Sequence, residues 1–428
     1  MHKIAFFLFS FLSVAAFSQT NTYSPYSRYG LGDLSSQGLV SNKGMGGTGI
    51  GLRLPNSLNY LNPASYTTQD SLSFLFDFGL FSQVTDYKSK SGSGTDVNAS
   101  LGHIVFGFPV TRWWNSAIGI VPYSRMGYDL VNYNSLFVYN YKGSGGLNKF
   151  FVGNGFRIKN LSVGVNLNVL FGSLEQSHSY MNEDETRVPV FPTERFQQQS
   201  VRSTSLAFGF QYNIKLSDDF SVVLGGILEN KSRLITRNSL LITNTYSSVD
   251  TFINPFTGSI YGERTSIDTI DFYNERKVEE HLPLLYGAGI SLNYKNKLIF
   301  AADYSTQKWS DYHSFNRFDT LVDTRYLNFG LQYTPDEKAI RSYWKRVGIR
   351  AGFYMNDTYL KVNGQQIQDY GVTFGLKFPF RRTRSSIQLS YQYGKRGTTD
   401  YNLLQENYHI VNLSISLYDY WFNKIKFD

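Results

Sequence analysis

The sequence predicts an all-β protein: a transmembrane antiparallel β-barrel of about fourteen strands with an N-terminal hatch in the lumen. Three observations carry that expectation. Apolar and polar residues alternate with a period of two through most of the chain beyond residue 70, a secretory leader opens it, and a glycine-rich run precedes the first strand. The composition agrees, with 32 Tyr, 34 Phe and 37 Gly in 428 residues. Aromatic girdles and tight glycine packing are what a membrane barrel uses. A mean hydropathy of -0.28 does not argue against it, because a barrel turns only alternate residues to lipid.

The N-terminus carries Lys3 and an apolar run from Ile4 to Phe17, which predicts a signal peptide over residues 1–18, cleaved after Ser18. Beyond it no apolar run reaches 18 residues, so no membrane-spanning helix is expected. With no cysteine, the sequence holds no disulfide, thiolate metal site or thiol nucleophile. The formal net charge of +8 comes from dispersed basic residues, so nucleic acid is not expected as a partner. The densest basic cluster, Arg381, Arg382 and Arg384, falls at an expected turn.

Residues 19–69 read as the hatch and 70–428 as the barrel. Five glycines, Gly44, Gly46, Gly47, Gly49 and Gly51, fall within eight residues, followed by Asn62, Pro63 and Ala64. Glycine is costly in regular structure and proline removes a donor, so this predicts an irregular segment whose backbone approaches other backbone closely. The partial match of Gly44, Gly46 and Gly49 to a dinucleotide fingerprint lacks the strand, helix and acidic residue that fingerprint needs.

Strands are expected near 70–88, 97–109, 114–131, 144–158, 161–181, 197–215, 219–246, 268–294, 297–314, 321–334, 344–359, 367–380, 384–397 and 406–419. In the last, Val411, Leu413, Ile415 and Leu417 face lipid while Asn412, Ser414 and Ser416 face the lumen. Tight turns are expected at Lys159 to Asn160, Ser217 to Asp219, Lys295 to Asn296 and Arg381 to Thr383. Longer external segments run from Met181 to Phe196 and from Ser247 to Ser266, while Thr334 to Tyr343 is a long connection on the periplasmic side. Both termini then lie in the periplasm.

The glycine run with Asn62, Pro63 and Ala64 resembles the hatch of the FadL-like (OmpP1/FadL/TodX) outer-membrane transport proteins. A second block is similar: Pro283, Tyr286 and Gly289, then Ala302, Asp303 and Tyr304, then Lys308, Trp309 and Ser310. The early run Tyr23, Ser24, Pro25, Tyr26, Ser27, Arg28, Tyr29, Gly30 looks like a branch found in the Bacteroidetes, which would place the protein in the outer membrane of such a Gram-negative bacterium. The resemblance implies passive uptake of a hydrophobic, fatty-acid-like ligand with lateral exit into outer-membrane lipid. Members of the superfamily in that phylum are also similar to non-transporting barrels, accessory subunits that bind other outer-membrane proteins in secretion or barrel-assembly complexes.

No catalytic constellation is present: the six histidines are scattered and no serine elbow occurs, so no enzyme and no cofactor are expected. The acidic run Asn182 to Glu185 is expected in an external loop. Strand parity turns Asp77, Asp303, Arg350 and Lys377 inward, and the hatch adds Arg28, Asp33 and Arg53. These charges are expected to pin the hatch, since buried charges are rarely left unpaired. Pro122 interrupts the third strand within Ile118 to Tyr123 and marks either a lateral exit, as in the family's third strand, or a position near the rim.

Overall fold

The computed structural model describes residues 24–70, 73–90, 92–133, 137–182, 192–253, 260–312, 321–381 and 383–420. The expected signal peptide lies outside them. So do residues 183–185 of the acidic run and Arg382.

Eighteen strand segments form one sheet. The first, β1 (Asp33–Leu34), belongs to the N-terminal segment. The wall begins with β2 (Ser73–Lys88) and β3 (Ser93–Pro109), followed by β4 (Trp114–Arg125), β5 (Tyr128–Tyr133) and β6 (Phe137–Ile158). Next come β7 (Leu161–Asn182), β8 (Thr193–Lys215), β9 (Phe220–Glu229), β10 (Ser232–Ile253), β11 (Ile260–Leu282) and β12 (Leu285–Tyr294). The last are β13 (Leu298–Gln307), β14 (Thr324–Tyr333), β15 (Gly348–Val362), β16 (Gln365–Pro379), β17 (Ser386–Gly397) and β18 (Gln405–Tyr420). Both β4 and β5 pair with β6, both β9 and β10 pair with β8, and β12 continues β11 against the same neighbouring pair. Joining those three broken strands and setting β1 aside leaves fourteen staves, and the β18 to β2 ladder closes the ring.

Alternation dictates which side of the wall each residue meets. On β8, Leu206, Phe208, Phe210 and Tyr212 are exposed outward, whereas Ser203, Ser205 and Gln211 are buried within. On β18, Val411, Leu413 and Leu417 face out, and Asn412, Ser414 and Ser416 are buried. The tight turns follow from local chemistry: Lys295 and Asn296 both take positive φ, the conformation a two-residue hairpin needs to match strand twist. Beside that turn, the rings of Phe220 and Tyr294 pack tilted, 4.6 Å between centroids, on the outer face, where an interfacial girdle sits.

Three expectations need correction. The segments 181–196 and 247–266 are not simply loops: β7 runs to Asn182 and β8 begins at Thr193, while β10 and β11 pair out to Ile253 and Ile260. The strand expected over 219–246 breaks at Asn230 and Lys231, and that over 268–294 breaks at Pro283 and Leu284, Pro283 having no donor to continue the ladder. Ser24 lies at the long-hairpin end, where its hydroxyl donates to Glu406, and not at the tight-turn end where both termini were expected.

Residues 24–70 thread the lumen from that end downward. They comprise a short 3-10 turn (Pro25–Arg28), β1, one helical turn α1 (Val40–Lys43), the glycine run, and a 3-10 helix (Pro63–Thr68) capped by the Asn62 side chain. Glycine meets glycine along the way. A Cβ on Gly352 would fall 2.1 Å from the Gly46 nitrogen, one on Gly289 2.7 Å from the Gly51 nitrogen, and one on Gly375 3.0 Å from the Gly44 Cα. Gly46 also has φ +68, a conformation L side chains rarely adopt.

Gly352→Ala is therefore expected to push the inner segment off the wall without breaking the ladder, so gel migration stays heat-modifiable while ion conductance in planar bilayers rises. Gly92→Ala, where nothing lies within 4 Å, should leave conductance at the parent level. Equal conductance for all three proteins would contradict the close approach.

Candidate functional site: the filled lumen and the gap in its wall

The glycine run is held by hydrogen bonds as well as by contact. Asp303 on β13 accepts from the backbone N–H of Gly49 at 2.5 Å, Ile50 at 2.8 Å and Gly51 at 3.4 Å. Thr373 accepts from Gly46 at 2.9 Å, and Ser291 donates to the Gly51 carbonyl at 2.8 Å. Asn62 donates to the carbonyls of Ile50 and Phe210 at 2.8 and 3.1 Å while its own oxygen accepts from Ala64. Pro63 follows it at the first helical turn, where a missing donor costs least.

The expected lumen charges separate into two groups. Asp303, Asp33 and Arg53 bridge the inner segment to the wall: Asp33 pairs with Arg396 at 2.9 Å, and Arg53 donates to Gln211 at 2.9 Å and Ser162 at 3.1 Å. The others do not. Asp77 is bonded to His103 at 2.5 Å, Arg350 to Gln332 and Gln388 at 2.8 and 2.7 Å, and Lys377 faces Glu337 at 3.8 Å. Those are wall or turn partners, because an inward side chain at a strand position meets its cross-strand neighbours first. Arg28 is exposed, its guanidinium 4.9 Å from the Tyr29 ring.

Sequence reasoning missed the most densely charged spot. Arg396 is surrounded by Asp33, Asp369 at 3.6 Å and Glu406 at 3.7 Å, and Tyr408 donates to Asp369 at 2.6 Å. Strand parity was the available signal, since Arg396 shares a face with the inward Ser390 and Gln392. Above it Tyr26, Trp309, Tyr312 and Tyr359 pack in one buried cluster, and the Tyr359 hydroxyl donates to the Gly32 carbonyl. The cavity left in the lumen is lined by Asp33, Lys43, Lys149, Asp303, Asp369 and Arg396 among others. Burial pulls the Lys43 ammonium down to about 8, and the like charge of Arg125 adds to the shift.

The wall is incomplete on one side. β3 and β4 pair only from Ile104 to Pro109 against Asn115 to Ile120. From Val121 onward β4 bends inward and takes a different neighbour: Leu34 registers with Ser124, Asp33 with Arg125, and the Ser35 N–H donates to Tyr123 at 2.9 Å. A gap results, lined by Leu101, His103, Pro122 and Arg125, and the Arg125 guanidinium crosses it to donate to the Leu101 carbonyl at 3.1 Å. Pro122 and Arg125 line the lumen cavity too, so the gap adjoins the interior. Pro122 stands eight residues along β4 from Trp114.

A closed ring of fourteen staves, apolar outside and polar within, with tight turns at one end, defines a barrel of the outer-membrane kind. The chain belongs to the BamG family, whose model matches residues 1–428. Solved structures share the fold at low identity. The Pseudomonas putida toluene transporter TodX is 15% identical, with a TM-score of 0.57 over 92% of this chain and 100% of that one. The Ralstonia pickettii toluene transporter TbuX is 14% identical at 0.57, over 93% and 98%. A Pseudomonas aeruginosa FadL homologue is 12% identical at 0.57, over 91% and 100%. No curated protein matches the sequence.

Two outcomes follow from this geometry. Asp303→Ala strands three buried N–H groups, each costing about 1–3 kcal/mol, so trypsin should cut at Lys43 and Arg53 far faster than in the parent, with Asp303→Asn between them. Because the Lys43 pKa is lowered on folding, holding its proton destabilises the packed segment in full below about pH 8, and the penalty fades as pH rises toward 10.5. Conductance of the parent should thus fall over that window more than that of Lys43→Met; equal changes would contradict the assignment.

Proposed function

We propose that this protein is an accessory subunit of an outer-membrane assembly, a plugged barrel whose work is to bind partner proteins of a secretion or barrel-assembly complex. The observation that carries the reading is the chemistry of the lumen. A site for a greasy solute is mostly apolar with a few placed polar groups; this cavity has apolar lining from Leu34, Ile50, Phe81 and Leu360, but it also carries the carboxylates of Asp33, Asp303 and Asp369 and the cations of Lys43, Lys149 and Arg396, more charge than such a site uses. Membership of the BamG family over the whole chain supports the same reading, as does the resemblance of the sequence to accessory barrels. In this role residues 19–69 are a permanent plug that keeps the barrel ion-tight.

One observation favours a second reading. The gap beside Pro122 adjoins the lumen, and the fold is shared with proteins described as toluene transporters. On that reading the protein takes up a hydrophobic small molecule and releases it sideways past Pro122.

Affinity purification in mild detergent followed by native mass measurement separates the two. The accessory reading expects a stoichiometric complex with other outer-membrane proteins; a lone protomer carrying a hydrophobic ligand would contradict it. Pro122→Val, which restores a backbone donor, should leave that complex intact and change no uptake into proteoliposomes, whereas slowed uptake of a hydrophobic solute would favour the second reading.

A further inference from the structure

The strands β9 and β12 hold 10 residues each, enough to cross the hydrocarbon at the usual tilt. Their continuations β10 and β11, 22 and 23 residues long, therefore stand outside the membrane as a projecting fin. Within it β10 pairs on one side with β8 and on the other with β11. β13, the next stave, ends at Gln307 opposite Leu285, below the fin. Tyr312 donates to Glu280 at the base, and above that point, among the described residues, no strand pairs with the outer edge of β11.

Arg276 and Lys277 guard the base of that edge, but further out it carries exposed apolar residues with no lysine or proline among them. Phe196 registers with Leu241 and Leu241 with Phe272, so three apolar side chains form one row across three strands. Phe272 is 62% exposed, Ile267 70%, and Ile270, bulged out where the register shifts beside Ile242, 56%. Asp268 and Asp271 are exposed among them.

We infer that the free edge of β11, from Ile267 to Glu279, is the docking site for an extended segment of a partner protein on the outer surface. The segment adds a strand to the fin, its apolar residues meeting the Phe272 row and its basic residues meeting Asp268 and Asp271. Lipid tails are not the occupant, because the row lies beyond the spanning halves. Nor is a second copy: two barrels inserted the same way up would bring their β11 strands together in parallel, with the aspartates against one another. The inference rests on the accessory reading and adds where the partner binds.

The test uses the full-length protein in its own membranes, with the photoreactive residue p-benzoylphenylalanine replacing Thr269, or Leu292 on the lipid face as control. The expected result is a Thr269-specific adduct with one other protein, mapped by mass spectrometry to an extended segment of alternating apolar and basic residues. Ile267→Lys combined with Phe272→Lys should cut its yield at least tenfold while heat-modifiable migration persists. An adduct with a second copy or within the same chain overturns the inference, as does an unchanged yield in the double variant. If the complex co-purifies at parental stoichiometry but no adduct forms, the docking site is wrong and the accessory role stands; if there is neither complex nor adduct, both fail.

Discussion

The structure depends on one constraint: the inner segment must lie against the wall backbone to backbone. Fourteen staves enclose a lumen wide enough to need filling, and side chains alone on both surfaces would hold the two apart. Facing glycines remove that spacing at Gly44 with Gly375, Gly46 with Gly352, and Gly51 with Gly289. Once the backbones touch, the segment's own N–H groups are shut away from water and must find acceptors in the wall. Asp303 and Thr373 accept from those groups, and Gln211 donates to the Ile50 carbonyl, so packing and polar satisfaction are solved together.

The wall gap is the other consequence of that filling. β4 has one outer edge and two possible neighbours. Below Ile120 it takes β3; above, it takes β1 of the inner segment. Pro122 lies at the change of partner, where a missing donor removes the reason for β3 to continue. The inner segment and the wall are thus parts of one sheet, and a movement of residues 33–35 would change the pairing of β4.

Most of the fold was legible in the sequence because period-two alternation maps directly onto lipid and lumen faces. Val411 to Leu417 and Tyr286 to Tyr294 lie on the faces that alternation assigns. The glycine run was legible as a place of close approach, since nothing else explains five glycines in eight residues. What escaped was pairing across distant strands. Asp77 is buried against His103, a partner that follows from a β2 to β3 register shift at Gly79 that no local pattern reveals. Asp369 and Glu406 are the direct cross-strand partners of Arg396 on β16 and β18, so the hairpin register was needed to see them, and the third carboxylate, Asp33, reaches Arg396 from the inner segment. The fin was hidden for another reason: charged and polar residues are mixed in along β11, and register shifts beside Leu240 and Ile242 interrupt the alternation although the ladder continues.

The central claim is that the glycine run is locked to the wall by backbone contact and by Asp303. Hydrogen–deuterium exchange in detergent measures this directly at the amides of Gly49, Ile50 and Gly51. The account predicts exchange as slow as that of the β12 and β13 ladder amides, slowed together and released together in Asp303→Ala. Exchange of those three amides at the rate of the exposed Asn363–Gly364 turn, with the barrel ladder still protected, would contradict it.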